Sequence, residues 1–182
     1  MKKTPLVLAA VSLSAAAGAA SLPFTASYNG LSQVVAVVNP VGPVLSFETK
    51  ASGSGSFDLL SYFSADVIDM STGVGSGSNR FVAGNGDELY GSFSVQVIPG
   101  AEAHLIGLTG LATFTGGTGR FNGASGSAVL TGSGVFTSAT SAVAALQYSG
   151  SIGLVPEPSS AWLLLAGLGL CLPWAVRRSA AH

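Results

Sequence analysis

A two-residue alternation of apolar and polar side chains constrains this sequence most, and it recurs through residues 28–154. In residues 89–97, Leu, Gly, Phe, Val and Val alternate with Tyr, Ser, Ser and Gln. The same period covers residues 106–114, 128–136 and 148–154. Because successive side chains of a strand point to opposite faces, this period predicts strands with one buried face. None of this region has a convincing helical period.

Glycine, proline and asparagine separate these runs. The breakers stand at 39–43, 52–56, 73–79, 84–87, 99–100 and 116–126. Such residues supply the backbone conformations that tight turns need, so their spacing predicts seven to nine strands joined mostly by hairpins. An antiparallel barrel or sandwich fits this pattern. Glycine inside the strands favours a barrel, so the predicted fold is all-β: one small antiparallel β-barrel of about eight strands.

Charge and cysteine content argue against nucleic-acid binding, disulfides and thiolate metal sites in the middle of the chain. Residues 21–155 hold seven acidic and only three basic residues, with no basic stripe, which argues against nucleic acid. The one cysteine, Cys171, lies outside this region. The middle can therefore form no internal disulfide and no thiolate zinc site.

The N-terminus has the composition of a secretory signal peptide. Lys2 and Lys3 are followed by an apolar stretch over 6–20 and by the small residues Ala17-Gly18-Ala19. We predict a signal helix over 1–20, cut by signal peptidase after Ala19 or Ala20. The alternative is a buried N-terminal helix.

The C-terminus contains a second apolar segment, residues 161–176, with no charge in 16 residues. As a helix it would span about 24 Å, slightly less than a hydrocarbon core of about 30 Å, and Pro173 would kink or end it. Arg177 and Arg178 follow and are expected to stay cytoplasmic. The segment is thus predicted to be a marginal transmembrane helix that anchors the chain before processing.

The residues before that segment make the C-terminus specific. Pro156-Glu157-Pro158, the apolar segment and Arg177-Arg178 together resemble the PEP-CTERM sorting signal over residues 155–182. The resemblance implies processing by an exosortase near the Pro-Glu-Pro motif. It also implies export to the cell surface or extracellular matrix of a Gram-negative bacterium that makes exopolysaccharide. An ordinary tail anchor with a proline-rich linker is the alternative. The exported domain is then residues 21–154.

One glycine-rich turn in the middle carries a second resemblance. Residues 114–126 read Phe-Thr-Gly-Gly-Thr-Gly-Arg-Phe-Asn-Gly-Ala-Ser-Gly. This stretch is similar to one in allene oxide cyclase and dirigent β-barrel proteins, and the likeness extends over residues 84–126. It implies a barrel of eight antiparallel strands. No catalytic position of those families matches this chain, so no activity follows from it.

Arg120 and Phe121, within that turn, are the candidate site residues. We expect Phe121 to plug one end of the barrel, while Arg120 pairs with Asp87 or Glu88 as part of a structural turn. In the alternative, Arg120 points into a barrel cavity and holds an anionic ligand, since barrels of this size are either filled or hold one small ligand.

Other chemistry-bearing residues give no ordered constellation. His104 is the only histidine of residues 21–155, and we expect it on a strand surface or a loop. Residues 84–88 could offer oxygens to Ca²⁺, although a simple turn is the favoured interpretation. Asp66 and Asp69 are expected to be solvated turn residues rather than a carboxylate pair. We predict no catalytic residue, metal or cofactor.

These observations favour a non-enzymatic, exported surface or matrix protein that works with exopolysaccharide. The alternative is a small barrel that carries an apolar ligand or acts as an isomerase like allene oxide cyclase. A closed core would disfavour that alternative, and an open cavity with a few polar groups would favour it. A threonine-rich β-solenoid, as an adhesin or ice-binding protein, is disfavoured because no fixed repeat occurs.

Overall fold

A computed structural model describes residues 20–155, which form a closed barrel of eight antiparallel strands. The strands are β1 Ala20–Asn39, β2 Val44–Gly55, β3 Leu59–Asp69, β4 Val74–Ala83, β5 Glu88–Pro99, β6 Leu105–Gly117, β7 Ser125–Ser138 and β8 Ser141–Leu154. The all-β barrel predicted from the period of two is confirmed. The predicted signal helix and membrane helix fall outside the described residues. Within residues 20–155, no helix has the length and apolarity needed to cross a membrane.

Strand β1 closes the barrel. It pairs with β8 from Ala20 to Gln33 and with β2 from Ala26 to Asn39. Every strand has a hydrogen-bonded neighbour on both sides, so the described barrel has no open edge for another chain to extend. The ladder shifts register near both ends of the barrel, as between Tyr90 and Gly91, where the strands bend.

The predicted inward faces are the buried faces. On β5, Leu89, Gly91, Phe93 and Val95 are buried, whereas the residues between them are exposed. The same holds on β7, where Ala128 and Leu130 point inward. The hydrophobic core is thus the inside of the barrel.

The two ends of the barrel differ. We call "sealed end" the end closed by connections 56–58, 84–87 and 118–124, where 3₁₀ turns cover Ser56–Asp58 and Gly119–Phe121. Its interior is filled by fully buried large side chains: Phe24, Tyr28, Leu59, Tyr62, Phe81, Leu89, Phe121 and Ile152. The other end, which we call "open end", carries connections 40–43, 70–73, 100–104 and 139–140. Both Ala20 and Leu154 lie at the sealed end, where they pair with each other.

Candidate functional site

A cavity of about 70 Å³ occupies the interior between the middle of the barrel and its open end. Most of its wall is apolar. The lining residues are Ser32, Phe47, Tyr62, Ser64, Asp66, Ile68, Met70, Phe93, Val95, Val97, Ile106, Leu108, Leu130, Gly134, Phe136, Ala142, Ala144 and Leu146. At the rim, the lining residue Met70 is 38% exposed, so the cavity reaches the surface at the open end.

Small residues on β7 and β8 leave this space empty. Gly134, Ala142 and Ala144 point inward at the open end, whereas large aromatic side chains fill the interior at the sealed end. A Cβ on Gly134 would meet the side chain of Ile106 at 2.9 Å, so even one added methyl group would crowd the wall. The cavity therefore exists because the inward-facing residues of two adjacent strands are small.

Four polar cross-strand partners share the inner face at one end of the cavity, and two of them, Ser32 and Ser64, line it. Ser32 pairs with Thr49, Thr49 with Ser64, and Ser64 with Asn79, on strands β1 to β4. The Thr49 hydroxyl donates to Ser32 Oγ at 3.0 Å. We call Ser32, Thr49, Ser64 and Asn79 the polar row. It lies at the level where the aromatic filling of the sealed end meets the cavity, which Tyr62 also lines.

Asp66 projects from the next inward position of β3, on the cavity side of the polar row. It is 8% exposed, and Ser64 Oγ donates to its Oδ1 at 3.2 Å. Burial raises the pKa of Asp66 to about 6, and the Ser64 hydrogen bond opposes that rise. Across the ladder it faces Phe47 and Gly77. Asp66 forms no ion pair with any residue of the described barrel, and its titratable neighbour is Tyr62.

This position corrects the expectation that Asp66 is a solvated turn residue. Asp66 lies inside a strand with its side chain in the barrel, because it shares the parity of Tyr62 and Ile68, which are both buried. Asp69 does lie where β3 ends. There its Oδ1 accepts from the Ser71 hydroxyl at 2.5 Å and from the Ser71 backbone N–H at 2.8 Å, and both hydrogen bonds keep the pKa of Asp69 below its usual value.

Unsatisfied polar atoms lie in the polar row itself and on Tyr148. Both side-chain amide atoms of Asn79 and the hydroxyl of Tyr148 are buried without a hydrogen-bond partner among residues 20–155. Burial raises the pKa of Tyr148 well above its usual value and that of Tyr62 to about 12, so both phenols stay neutral. Tyr28 is satisfied, since its hydroxyl donates to the carbonyl of Leu59 at 3.1 Å.

Arg120 and Phe121 lie at the sealed end, far from the cavity lining. Arg120 Nε donates to Asp87 Oδ2 at 3.0 Å, so its partner is one of the two acids anticipated. Phe121 is completely buried and meets the ring of Phe57 edge-on, with 6.1 Å between centroids. This turn requires glycine at position 119, because φ there is +52° and a Cβ would stand 1.9 Å from Asp87 Oδ1.

The remaining candidates are not brought together. His104 lies in the 100–104 connection, where its Nε2 is 3.5 Å from Glu102. In the 84–87 turn, Asp87 Oδ2 accepts from both Asn85 and Arg120. Residues 20–155 contain no group of three acidic, histidine or cysteine side chains able to hold a metal ion. The sorting residues Pro156, Glu157, Pro158, Arg177 and Arg178 lie outside the described residues.

The sequence left open whether the barrel is hollow, and it did not predict the polar row or the inward position of Asp66. A signal for Asp66 was present, because it stands two residues from Ile68 and four from Tyr62, on an apolar parity. The alternation in β3 was obscured by Phe63 and Val67, which put apolar residues on both faces. For Ser32, Thr49 and Asn79 no local signal existed, since the row is formed by the pairing of four strands.

Comparison with known proteins identifies the C-terminal segment. The PEP-CTERM protein-sorting motif matches residues 154–179, which confirms the predicted sorting signal. This motif implies export, processing by an exosortase and sorting to the cell surface in Gram-negative bacteria. No curated protein and no solved structure matches the chain. The barrel is consistent with the fold of the allene oxide cyclase and dirigent families, and kinship with them stays a prediction.

Proposed function

We propose that this chain is a non-catalytic surface or matrix protein that works with exopolysaccharide after its sorting signal has been processed. The observation that carries the proposal is the sorting motif, which begins at Leu154, the last residue of β8. Because Leu154 pairs with Ala20 at the sealed end, the signal leaves the barrel there. Before processing, a C-terminal membrane anchor would hold that end toward the membrane and direct the open end outward.

The charge distribution on the barrel supports contact with polysaccharide. The adjacent strands β6, β7, β8 and β1 contain no Asp, Glu, Lys, Arg or His. Their outer faces carry hydroxyl and amide groups beside exposed apolar side chains such as Leu111, Val129 and Val143. Among the polar groups, Thr131, Gln147 and Ser27 form one exposed cross-strand row. Such an uncharged, hydrogen-bonding face suits a sugar polymer, whereas Glu48, Lys50, Arg80 and Glu88 are confined to β2–β5.

The sorting signal is tested by changing the motif and leaving the membrane segment. A chain with Pro156→Ala and Pro158→Ala keeps residues 161–176, Arg177 and Arg178. We expect it to reach the membrane but to stay unprocessed, as seen by mass spectrometry of the surface fraction. Deletion of 156–182 should abolish both processing and surface retention. Unchanged localisation of the truncated chain would contradict this role of the signal.

The polysaccharide contact is tested with two matched double variants. Thr131→Ala with Gln147→Ala removes polar groups from the uncharged face, and Ser92→Ala with Ser94→Ala does so on β5. At about 0.7 kcal/mol for each lost hydrogen bond, the first pair should weaken co-sedimentation with the host exopolysaccharide about tenfold. The second pair should change it little. Equal effects would refute the assignment of this face.

The cavity favours a second candidate, a barrel that binds a small, largely apolar ligand. Pockets for such ligands combine apolar walls with a few placed polar groups, as Asp66, Ser64 and Ser32 are here. The two candidates are compatible, because the polysaccharide face is outside the barrel and the cavity is inside.

A further inference from the structure

The buried carboxyl group of Asp66 indicates which chemical class of ligand suits the cavity. Its Oδ1 accepts from Ser64, and no donor of the described barrel reaches its Oδ2. A buried acidic side chain without a cation destabilises a barrel, and apolar replacement of such groups is often stabilising. The unpaired carboxyl group therefore suits a ligand that brings its own donor.

We propose that the cavity binds an unbranched primary alkylammonium ion, with the ammonium group at Asp66 and the alkyl chain extending toward the open end. This inference rests on the ligand-binding role proposed above and names the ligand class for the same cavity.

The dimensions of the cavity select the shape of the chain. Its volume of about 70 Å³ is well below the roughly 150 Å³ of an apolar cavity that takes benzene, so it encloses only an ammonium group and the first few carbons of a chain. The rest of a longer chain would lie at the mouth of the open end, where a narrow unbranched chain can pass. From Asp66 to Met70, just beyond the end of β3, the chain advances four residues, about 13 Å, or about 10 Å along the axis at a tilt near 40°. An extended chain of about six to eight carbons would therefore reach from Asp66 to the rim. Ile68 and Leu108 line this path.

The charge of the cavity wall selects the head group. Asp66 is the one charged residue in the lining, and Ser32 Oγ already accepts a hydrogen bond from Thr49. An ammonium group would satisfy the carboxylate with up to three donors. A fatty acid would place a second carboxylate beside Asp66 without a cation between them, so it should be rejected.

The test compares n-hexylamine, n-hexanol and hexanoate by titration calorimetry at pH 7.5, with the processed protein recovered from the producing bacterium. We expect hexylamine to bind at least tenfold more tightly than hexanol, and hexanoate not to bind. Each methylene added between methylamine and propylamine should tighten binding about fourfold, and those added between butylamine and hexylamine should have a smaller effect because they lie at the rim.

Two variants separate the contribution of the ammonium–Asp66 contact to binding from that of the apolar cavity. Asp66→Asn should weaken hexylamine at least tenfold and leave hexanol within threefold. Ala144→Leu fills the cavity and should weaken both at least tenfold, while Asp66 is retained. Circular dichroism and the unfolding midpoint check that each variant is folded.

The outcomes distinguish the ligand class from the binding role. If Asp66→Asn leaves hexylamine binding unchanged, or hexanoate binds as tightly as hexylamine, the ammonium inference is overturned. The binding role then stands only if Ala144→Leu still abolishes binding. If no probe binds to the wild-type protein at millimolar concentration, or Ala144→Leu has no effect, both are overturned.

Discussion

The two ends of this barrel are built from the same strands, yet one is filled and the other is not. At the sealed end, Phe81 contacts the rings of Phe24, Tyr28, Tyr62, Phe114 and Tyr148, with centroids 5.2 to 6.1 Å apart. At the open end, Gly134, Ala142 and Ala144 face a cavity. The difference indicates that the sealed end provides stability and leaves the open end free for binding.

The largest expected effect is that of emptying the sealed end. Phe81→Ala should lower the free energy of unfolding by about 3–5 kcal/mol, because Phe81 is fully buried and its neighbours cannot all collapse into the gap. Phe136→Ala at the half-buried rim should cost clearly less, about 1–2 kcal/mol. Urea unfolding of both variants measures the contrast, and equal losses would remove the energetic distinction between the two ends.

Asp66 tests whether the cavity reduces stability. The folded pKa of about 6 exceeds the ordinary value of 3.8, so the folded state holds the proton more tightly and its stability falls as pH rises from about 4 to 6. The loss is on the order of 3 kcal/mol. Asp66→Asn should therefore stabilise the barrel at pH 7 and not at pH 3.

The difference in unfolding free energy between wild type and Asp66→Asn, measured from pH 3 to 8, isolates this contribution. It also cancels the opposite contributions of Asp69 and Glu88, whose pKa values are lowered. A difference that does not vary with pH would show that Asp66 has an ordinary pKa and is not desolvated.

A smaller effect is expected from the turn that closes the sealed end. Gly119→Ala should cost about 1–2 kcal/mol, because the residue has positive φ and its Cβ would collide with Asp87. Gly42→Ala in the 40–43 connection is the matched control, since its Cβ would have no atom within 4 Å. Thermal unfolding of both is the measurement. If the two substitutions have the same effect, the Asp87–Gly119 contact does not constrain the sealed end.

Much of the barrel could be predicted from local pattern. The alternation over 89–97 and 128–136 established strands and the correct inward face, since a strand's period depends only on backbone geometry. Asp66 was misplaced, because a lone acid between Phe63 and Ile68 resembles a turn residue until the pairing of β3 is known. The sequence predicted that Arg120 would pair with Asp87 or Glu88, and in the structure it pairs with Asp87.

The sequence by itself determined the sorting signal, the small all-β fold and the inward parity of its strands. These features depend on contiguous residues: Pro156-Glu157-Pro158 with its apolar segment, and runs with a period of two. Only the tertiary structure decided that one end is filled and the other hollow, and that Asp66 faces the hollow. Both depend on the register of strands distant in sequence, which brings Ser32, Thr49, Ser64 and Asn79 to one level and places Ser32 beside Ala142 of β8.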